Sequence, residues 1–503
     1  SERMPAEDFN YVRPFQLFIE SRIFFIQEKI TCCSNYNRKY YLHSMTDKPK
    51  LGLFDLTMIV VGLVIGMGIF RTASDAANAA ITPTVFFIAW AAGGLIALCG
   101  ALTYAEIGSR FPITGGYYKI FAECYHPSIA FAINCIILIS NAASMSGVAL
   151  IGSEYIAQVI FATDPAPLTK AFIAMGAIGL FYGVNLMGLR MSSKTQNVLM
   201  IIKIGMLLLL ISSIFFLTGN NSVVNDSVTA SGPVQEYSWS DYIKSFGIAL
   251  IAVSFTYGGY QQTINFGDEV HNARKTIPKG ITIGILMIIS LYLAVSYAYY
   301  NAIGFESLKT SRGIAAIVAE QMFGPTGRLI FSVLLFVAVL AYVNVLLLSN
   351  PRVMYAMSKD GILPAAFKKR DEKKDVLTIS LTAFAAIGIV VLFFAETFDK
   401  ILGFTIFLDS IGMATSAATI FILRKRTRHL DGTGIYKMKL YPLLPLIFIA
   451  AYIFVGISIW INTPELAWTG LAVFAVFLVI YFVVRSIKGA PEKAEEESDL
   501  FKN

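Results

Sequence analysis

Apolar residues occur along the chain in long runs that are separated by short segments rich in charge, glycine and proline. A run of about 20 apolar residues is long enough for a helix to cross the hydrocarbon core of a bilayer. A helix with only one buried face would instead show apolar residues at every third or fourth position. Twelve runs are long enough to be candidate membrane spans. They are residues 51–76, 84–109, 129–161, 171–188, 195–217, 242–266, 277–302, 329–357, 377–395, 401–423, 440–461 and 466–484. The pattern predicts an all-α integral membrane protein with twelve transmembrane helices.

Composition agrees with a bilayer as the solvent. Of 503 residues, 56% are apolar and 15% are charged, against about 25% charged in an average soluble domain. These values exclude an ordinary soluble enzyme. The formal net charge is +7, but the basic residues cluster between apolar runs, so we expect no nucleic acid partner. The sequence shows no Ser-His-Asp set, metal-ligand spacing or nucleotide motif, so we expect neither an enzyme nor a cofactor or metal.

Basic residues also predict the orientation. The two most basic loops lie between spans eight and nine (352–374) and between spans ten and eleven (424–439). Because Lys and Arg are retained on the cytoplasmic side, we expect both termini to be cytoplasmic. The protein is then a multi-pass protein of the cell (inner) membrane.

The first 44 residues lack a spanning run, whereas Met45 is followed closely by the first span. We therefore expect 1–44 to be an N-terminal extension, either from an over-extended gene start or a poorly ordered tail. The remaining expected divisions are a cytoplasmic N-terminus (45–50), a first repeat (51–217), an extracellular loop (218–241), a second repeat (242–423), helices eleven and twelve with their preceding loop (424–484), and a cytoplasmic tail (485–503).

Two spans contain glycine-rich interruptions. Span one carries Gly62, Gly66 and Gly68, and span six reads Ser254-Phe-Thr-Tyr-Gly-Gly-Tyr260. One such cluster could reflect close helix packing, but a pair at comparable depth indicates two discontinuous helices that form a mid-membrane site. Each interrupted span opens a group of five. An odd number inverts the second group, which predicts a five-plus-five inverted repeat with discontinuous helices 1 and 6.

Backbone dipoles suggest what such a site binds. Unpaired amides of the half-helix after Gly66 and Gly68 suit a carboxylate, whereas carbonyls exposed around Ser254 and Phe255 suit an ammonium group. Together they fit an α-amino acid zwitterion.

At these residues the chain resembles the amino acid, polyamine and organocation transporter superfamily, close to the L-type amino acid transporters and their bacterial relatives. The resemblance covers 51–484 and is carried by five motifs in order. They are Gly66-Met-Gly-Ile-Phe70, Tyr104-Ala-Glu106 with Phe111-Pro-Ile-Thr-Gly-Gly-Tyr-Tyr118, Phe255-Thr-Tyr-Gly-Gly-Tyr260 with Asn265-Phe-Gly-Asp-Glu269 and Ile277-Pro278, Pro351-Arg-Val-Met-Tyr355 with Asp360 to Pro364, and Tyr441-Pro-Leu-Leu-Pro445.

The resemblance implies the same inverted repeat and assigns roles to the interrupted helices. It assigns substrate carboxylate binding to Ile65, Gly66, Met67 and Gly68, and amino-group binding to Ser254, Phe255 and Thr256. It also implies that Phe255 is an aromatic gate over the substrate.

Lys203 lies inside span five, where a cation costs about 2.5–3.5 kcal/mol on insertion scales. An intramembrane lysine therefore suggests function, with a purely structural cation as the alternative. In the resembled family, a lysine here fills the region where sodium-coupled relatives bind a second sodium ion, and its ammonium reaches carbonyls of the broken first helix. This implies sodium-independent transport coupled to protons through Lys203 or driven by exchange.

Other polar residues in the spans have less definite roles. Asn141 and Asn344 could line the substrate pocket or form interhelical hydrogen bonds. Asp409 could be a cation or proton site, or be paired near a helix end. Glu106, near the end of span two, is expected to be an interfacial anchor.

These observations predict a sodium-independent secondary amino acid transporter that works by alternating access, as a proton symporter or an exchanger. We expect neutral substrates because neither break contains an acidic side chain. The alternative is a cationic amino acid or polyamine exchanger, and a more remote one is an amino acid sensor. Animal L-type relatives join a glycoprotein through a cysteine between spans three and four. The segment 163–167 has none, so no disulfide-linked heavy chain is expected.

Overall fold

The described part of the chain is helical and, apart from isolated backbone bridges, contains no β-strand. The computed structural model describes residues 51–66, 68–161, 165–217, 237–311, 313–371, 373–393, 395–430 and 434–488. The predicted extension 1–44, segment 45–50, Met67, part of segment 163–167, most of loop 218–241 and most of the C-terminal tail lie outside these residues.

The first seven helices are α1 (Leu53–Val64), α2 (Gly68–Ala79), α3 (Pro83–Arg110), α4 (Gly116–Cys124), α5 (Pro127–Ile160), α6 (Pro167–Leu186) and α7 (Leu189–Phe216). The others are α8 (Trp239–Thr256), α9 (Ala273–Ile303), α10 (Phe305–Thr310), α11 (Ile314–Lys359), α12 (Thr378–Leu392), α13 (Ala395–Arg426), α14 (Leu443–Asn462) and α15 (Pro464–Lys488). Short 3-10 turns follow α8 at Tyr260–Asn265 and Gly267–Glu269.

Nine helices among the described residues are long and apolar enough to cross a bilayer, which confirms a multi-pass helical membrane protein. They correspond to nine of the twelve predicted spans. The other three predicted spans are the two that contain the breaks and the short helix α12. The count of twelve and the inverted repeat stay predictions.

Local sequence sets several helix starts. Proline is the first residue of α3, α5, α6 and α15, where its fixed φ suits the helix and its missing N–H is not needed. Thr82 caps α3 by accepting from the Val85 amide at 3.3 Å. In α11, Gly324 has a φ of 67° and interrupts the helix just before Pro325. The predicted span 329–357 is therefore the part of α11 beyond this kink.

Small residues let the central helices pack closely. A Cβ at Gly284 of α9 would lie 2.6 Å from the Val60 side chain of α1. A Cβ at Gly93 of α3 would lie 2.4 Å from the Val253 side chain of α8. Because lipid tails are as apolar as the side chains, the hydrophobic effect contributes little to helix association in a bilayer. Close van der Waals contact through small residues stabilises such a bundle instead. These contacts hold α1 and α8, which carry the breaks, inside the protein.

One end of the bundle is closed by interlocking loops, and we call it the basic end because Arg370 and Arg424 lie there. Loop residues before α4 pair with those after α8: the Gly115 amide donates to the Asn265 carbonyl at 2.9 Å. Gly267 is required at this junction, since a Cβ there would lie 2.2 Å from the backbone nitrogen of Ile113. Buried ion pairs add to the closure.

Those ion pairs correct two expectations. Arg352, counted as a loop cation, lies within α11 and pairs with Glu269 at 2.6 Å, with both side chains buried. Glu106, expected as an interfacial anchor, is fully buried. It accepts from Arg110 at 2.8 Å and from Arg424 at 2.6 Å. A carboxylate with two guanidinium partners can be buried where an isolated one could not.

Candidate functional site

A cavity of about 790 Å³ lies between the two interrupted helices. Its wall includes Gly66 and Gly68 at the first break and Phe255 and Thr256 at the second. The sequence prediction that the breaks come together is therefore observed in the geometry.

The cavity wall includes part of α2. Leu51, just before α1, is joined to the basic end by its amide, which donates to the Glu269 carbonyl at 3.0 Å. Helix α2 continues from the first break away from the basic end, and its residues Thr72, Asp75 and Ala79 line the cavity. The cavity wall therefore runs along α2 toward the end opposite the basic end.

The first break leaves a helix N-terminus at the cavity. Helix α1 ends at Val64, the Gly66 amide turns back to the Val64 carbonyl at 2.8 Å, and α2 begins at Gly68. The first amides of a helix have no intrahelical acceptor and carry the positive end of its dipole. The lining residue Gly68 places these amides where a carboxylate can reach them.

The second break exposes a helix C-terminus. The Gly258 amide donates to the Phe255 carbonyl at 3.1 Å rather than to Ser254, which would be its α-helical acceptor. This tighter turn ends α8 at Thr256 and takes the α-helical donor away from the Ser254 carbonyl. Carbonyls at a helix C-terminus carry partial negative charge and suit an ammonium group.

The two breaks fit against each other. A Cβ at Gly68 would lie 2.7 Å from the Thr256 side chain. Gly259 has a φ of 112°, and a Cβ there would lie 2.3 Å from the Leu63 carbonyl oxygen. The buried Tyr292 hydroxyl lies between them, 3.2 Å from the Val64 carbonyl oxygen and 3.5 Å from that of Thr256. Glycine is needed on both sides for the breaks to meet.

Lys203 is fully buried, and its Nζ donates to the Ile65 carbonyl oxygen at 2.6 Å. The contact implied by the family resemblance is thus present. It places a positive charge directly behind the first break, on the carbonyl that follows the last turn of α1.

Other predicted site residues are divided between the cavity and the core. Asn141 lines the cavity, and its Nδ2 donates to Asn350 Oδ1 at 2.7 Å. Ile65 and Ser254 are buried and do not belong to the cavity wall, so the structure does not bring these two predicted contacts to the cavity. Phe255 lines the cavity and is 40% exposed. Its ring therefore does not cover a closed site in this conformation.

Asn344 does not line the cavity, contrary to the expectation for a substrate contact. It is fully buried, donates to Gln196 Oε1 at 2.8 Å and accepts from Asn185 Nδ2 at 2.9 Å. It therefore connects α11 with α6 and α7, which was the alternative reading of a polar residue within a span.

Comparison with known proteins now adds to this geometry. The family model described as "Amino acid permease" matches residues 51–484. The chain belongs to the amino acid permease family. The match includes both breaks, Lys203 and every cavity-lining residue.

Curated relatives of this permease are membrane transporters. The serine/threonine exchanger SteT of Bacillus subtilis is 26% identical, with 88% of this chain and 98% of the relative covered. A methylthioribose transporter of Bacillus subtilis is 25% identical, with 86% and 92% covered. The human large neutral amino acids transporter small subunit 2 is 23% identical, with 87% and 80% covered. The permease is therefore a membrane transporter, and its relatives do not share one substrate.

Several lining residues of the permease were not found from the sequence. Tyr342 lies beside the first break, where a Cβ on Gly66 would be 3.2 Å from its ring, and its hydroxyl is 3.0 Å from Ser144 Oγ. Asp75 and Gln262 also line the cavity. The sequence signal was present for Asp75, an acidic residue in a predicted span, but nothing in the sequence shows which way a side chain of an all-apolar helix faces.

Proposed function

We propose that the permease is a sodium-independent secondary transporter of amino acids, working by alternating access as a proton symporter or an exchanger. The observation that carries the proposal is the cavity bounded by the N-terminus of α2 and the C-terminus of α8. These two ends present opposite partial charges to one cavity.

The breaks complement both charged groups of an α-amino acid. Amides from Gly68 onward face the α-carboxylate, and the C-terminal end of α8 at Phe255 and Thr256 faces the α-amino group. The proposed roles of Ile65, Met67 and Phe255 follow the family resemblance. Since the binding groups are mainly backbone, the headgroup is recognised whatever the side chain.

Sodium independence is supported by Lys203. Its ammonium donates to the Ile65 carbonyl oxygen, an oxygen that could otherwise serve as a sodium ligand. A second monovalent cation beside a buried ammonium would be repelled strongly at low dielectric. The lysine thus supplies a positive charge of the protein in place of a co-transported sodium ion.

Two classes of amino acid, neutral and cationic, are candidates for the substrate. The breaks contain no charged side chain, which favours a neutral amino acid, as the sequence suggested. Asp75 on α2 and Asp409 on α13 line the cavity outside the breaks themselves, which favours a cationic one.

We also propose the predicted topology, with the groups 51–217 and 242–423 as inverted repeats and the basic end on the cytoplasmic side. The absence of cysteine from 163–167 supports a permease without a disulfide-linked heavy chain.

Uptake into liposomes containing the purified permease tests the proposal. Labelled amino acids should accumulate equally in sodium and in N-methylglucamine buffers, with either a pH gradient or internal amino acid as the driving force. Methylthioribose belongs in the panel because a relative carries that name. A requirement for sodium would refute sodium independence. Uptake of methylthioribose with no uptake of any amino acid would refute the proposed substrate.

A further inference from the structure

We infer that Asp409 forms a side-chain subsite for a cationic amino acid such as lysine or arginine, at the part of the cavity beyond the backbone breaks. This rests on the proposed function, since it assumes that the breaks hold the substrate headgroup. The inference chooses between the two side-chain classes that the breaks leave open.

Asp409 is available for such a contact. It lies on α13, is partly exposed and lines the same cavity as Gly68 and Phe255. Within the described part of the chain, no side chain forms an ion pair or hydrogen bond with its carboxylate. The buried carboxylates Glu106 and Glu269, by contrast, are each matched by arginine. Among the described residues, Asp409 therefore lacks the cationic partner that these two buried carboxylates have.

The charge of the cavity wall favours a cation. Asp75 and Asp409 are its acidic residues, and none of the lining residues in the described ranges is lysine or arginine. Asp75 interacts with another group of the chain, whereas Asp409 is not matched in this way by any residue of the described ranges. Such a wall concentrates cations and repels anions.

Tyr342 is an aromatic residue of the same cavity wall as Asp409. The Tyr117 hydroxyl lies 3.9 Å from a Cβ placed on Gly412, one turn along α13 from Asp409. An ammonium or guanidinium group in this cavity can form an ion pair with the carboxylate and lie against an aromatic ring.

Tyr342 links the two parts of the proposed site. Its ring would lie 3.2 Å from a Cβ on Gly66 at the first break, and it lines the same cavity as Asp409. A substrate held at the breaks therefore shares one cavity with the carboxylate.

Counterflow into liposomes loaded with the same unlabelled amino acid, at equal pH on both sides, tests the subsite. Lysine is compared with norleucine and arginine with citrulline, because each neutral analogue keeps the chain length. The unmodified permease should take up both cationic substrates with an apparent affinity about tenfold or more above that of the analogues. In Asp409→Asn the cationic substrates should lose about tenfold, while the analogues stay within about twofold.

Two further variants control for charge and folding. Asp409→Glu should retain the preference for cations. Glu320→Gln removes a carboxylate from the exposed Glu320–Arg328 pair and should behave like the unmodified protein. Uptake of norleucine and citrulline at least equal to that of lysine and arginine would overturn the subsite and leave the proposed function standing. An equal loss for all four substrates in Asp409→Asn would also overturn it. Failure of every amino acid to enter would overturn the proposed function itself.

Discussion

Replacing Lys203 by methionine separates a functional role of this lysine from a purely structural one. Methionine keeps most of the length of the side chain but removes the charge and the donor to the Ile65 carbonyl. A hydrogen bond from a charged donor contributes about 1.5–3 kcal/mol. Burying a cation in a membrane span costs about 2.5–3.5 kcal/mol on insertion scales. Since the substitution removes both terms, the free energy of unfolding should change little.

Substrate binding should respond differently. In the proposed mechanism the ammonium fixes the carbonyl at the first break, so its loss removes up to the full hydrogen-bond energy from the binding-competent geometry. A loss of about 1.5–3 kcal/mol corresponds to a decrease in affinity of about 10- to 150-fold. We therefore expect Lys203→Met to melt close to the unmodified permease and to bind amino acids much more weakly.

The assay measures both quantities on one preparation. Thermal unfolding in detergent reports stability, and its shift with added amino acid reports affinity, with liposome uptake across pH 5 to 8 as the functional readout. Lys244→Met, at an exposed position near the start of α8, is the matched control. Unchanged affinity and an unchanged pH profile in Lys203→Met would show that the lysine serves only to hold α7 against α1.

Two further substitutions test the meeting of the breaks and the closure of the basic end. Gly68→Ala places a Cβ 2.7 Å from the Thr256 side chain and should abolish measurable uptake. Gly176 has open space around it, so the control Gly176→Ala should retain uptake. Equal uptake by the two variants would contradict the geometry. Glu269→Gln leaves Arg352 with an unmatched buried charge, which costs about 3–5 kcal/mol of stability. Hydrogen exchange of the loop after α8 should therefore become faster, and unchanged exchange would refute this closure.

The sequence allowed the breaks to be predicted because glycine clusters within an apolar run are costly and need a cause. Gly68 and Gly259 both meet the other break at distances that admit no Cβ. Lys203 could be identified for the same kind of reason, since its burial in a span must be compensated. In both cases one residue type carries a free-energy cost that is visible without coordinates.

The sequence did not allow us to predict whether a polar side chain of a membrane helix faces the core or the cavity. Asn344 and Asp409 are both polar residues within apolar helices, yet the first is fully buried in a hydrogen-bond network and the second lines the cavity. A helix that is apolar on every side gives no periodic signal of which face is inside. Ion pairs between distant segments, such as Glu106 with Arg424, are equally invisible because only the fold brings them together.

The second break and the closed end belong to one continuous segment, which bears on how binding is coupled to movement. Gly259 packs on the Leu63 carbonyl at the first break, and the 3-10 turn that follows it leads directly to Asn265 and Glu269. Asn265 holds the loop before α4, and Glu269 pairs with Arg352.

A substrate can shift a conformational equilibrium only by its difference in affinity between the two states. If binding displaces the turn of α8 at Phe255, the displacement acts on both contacts within about ten residues of chain, without a longer pathway. We therefore expect Gly259→Ala, which strains this connection, to impair the opening of the basic end as well as substrate binding. Faster hydrogen exchange after α8 on adding amino acid, lost in this variant, would show that the two are linked, and exchange that ignores amino acid in both proteins would refute the link.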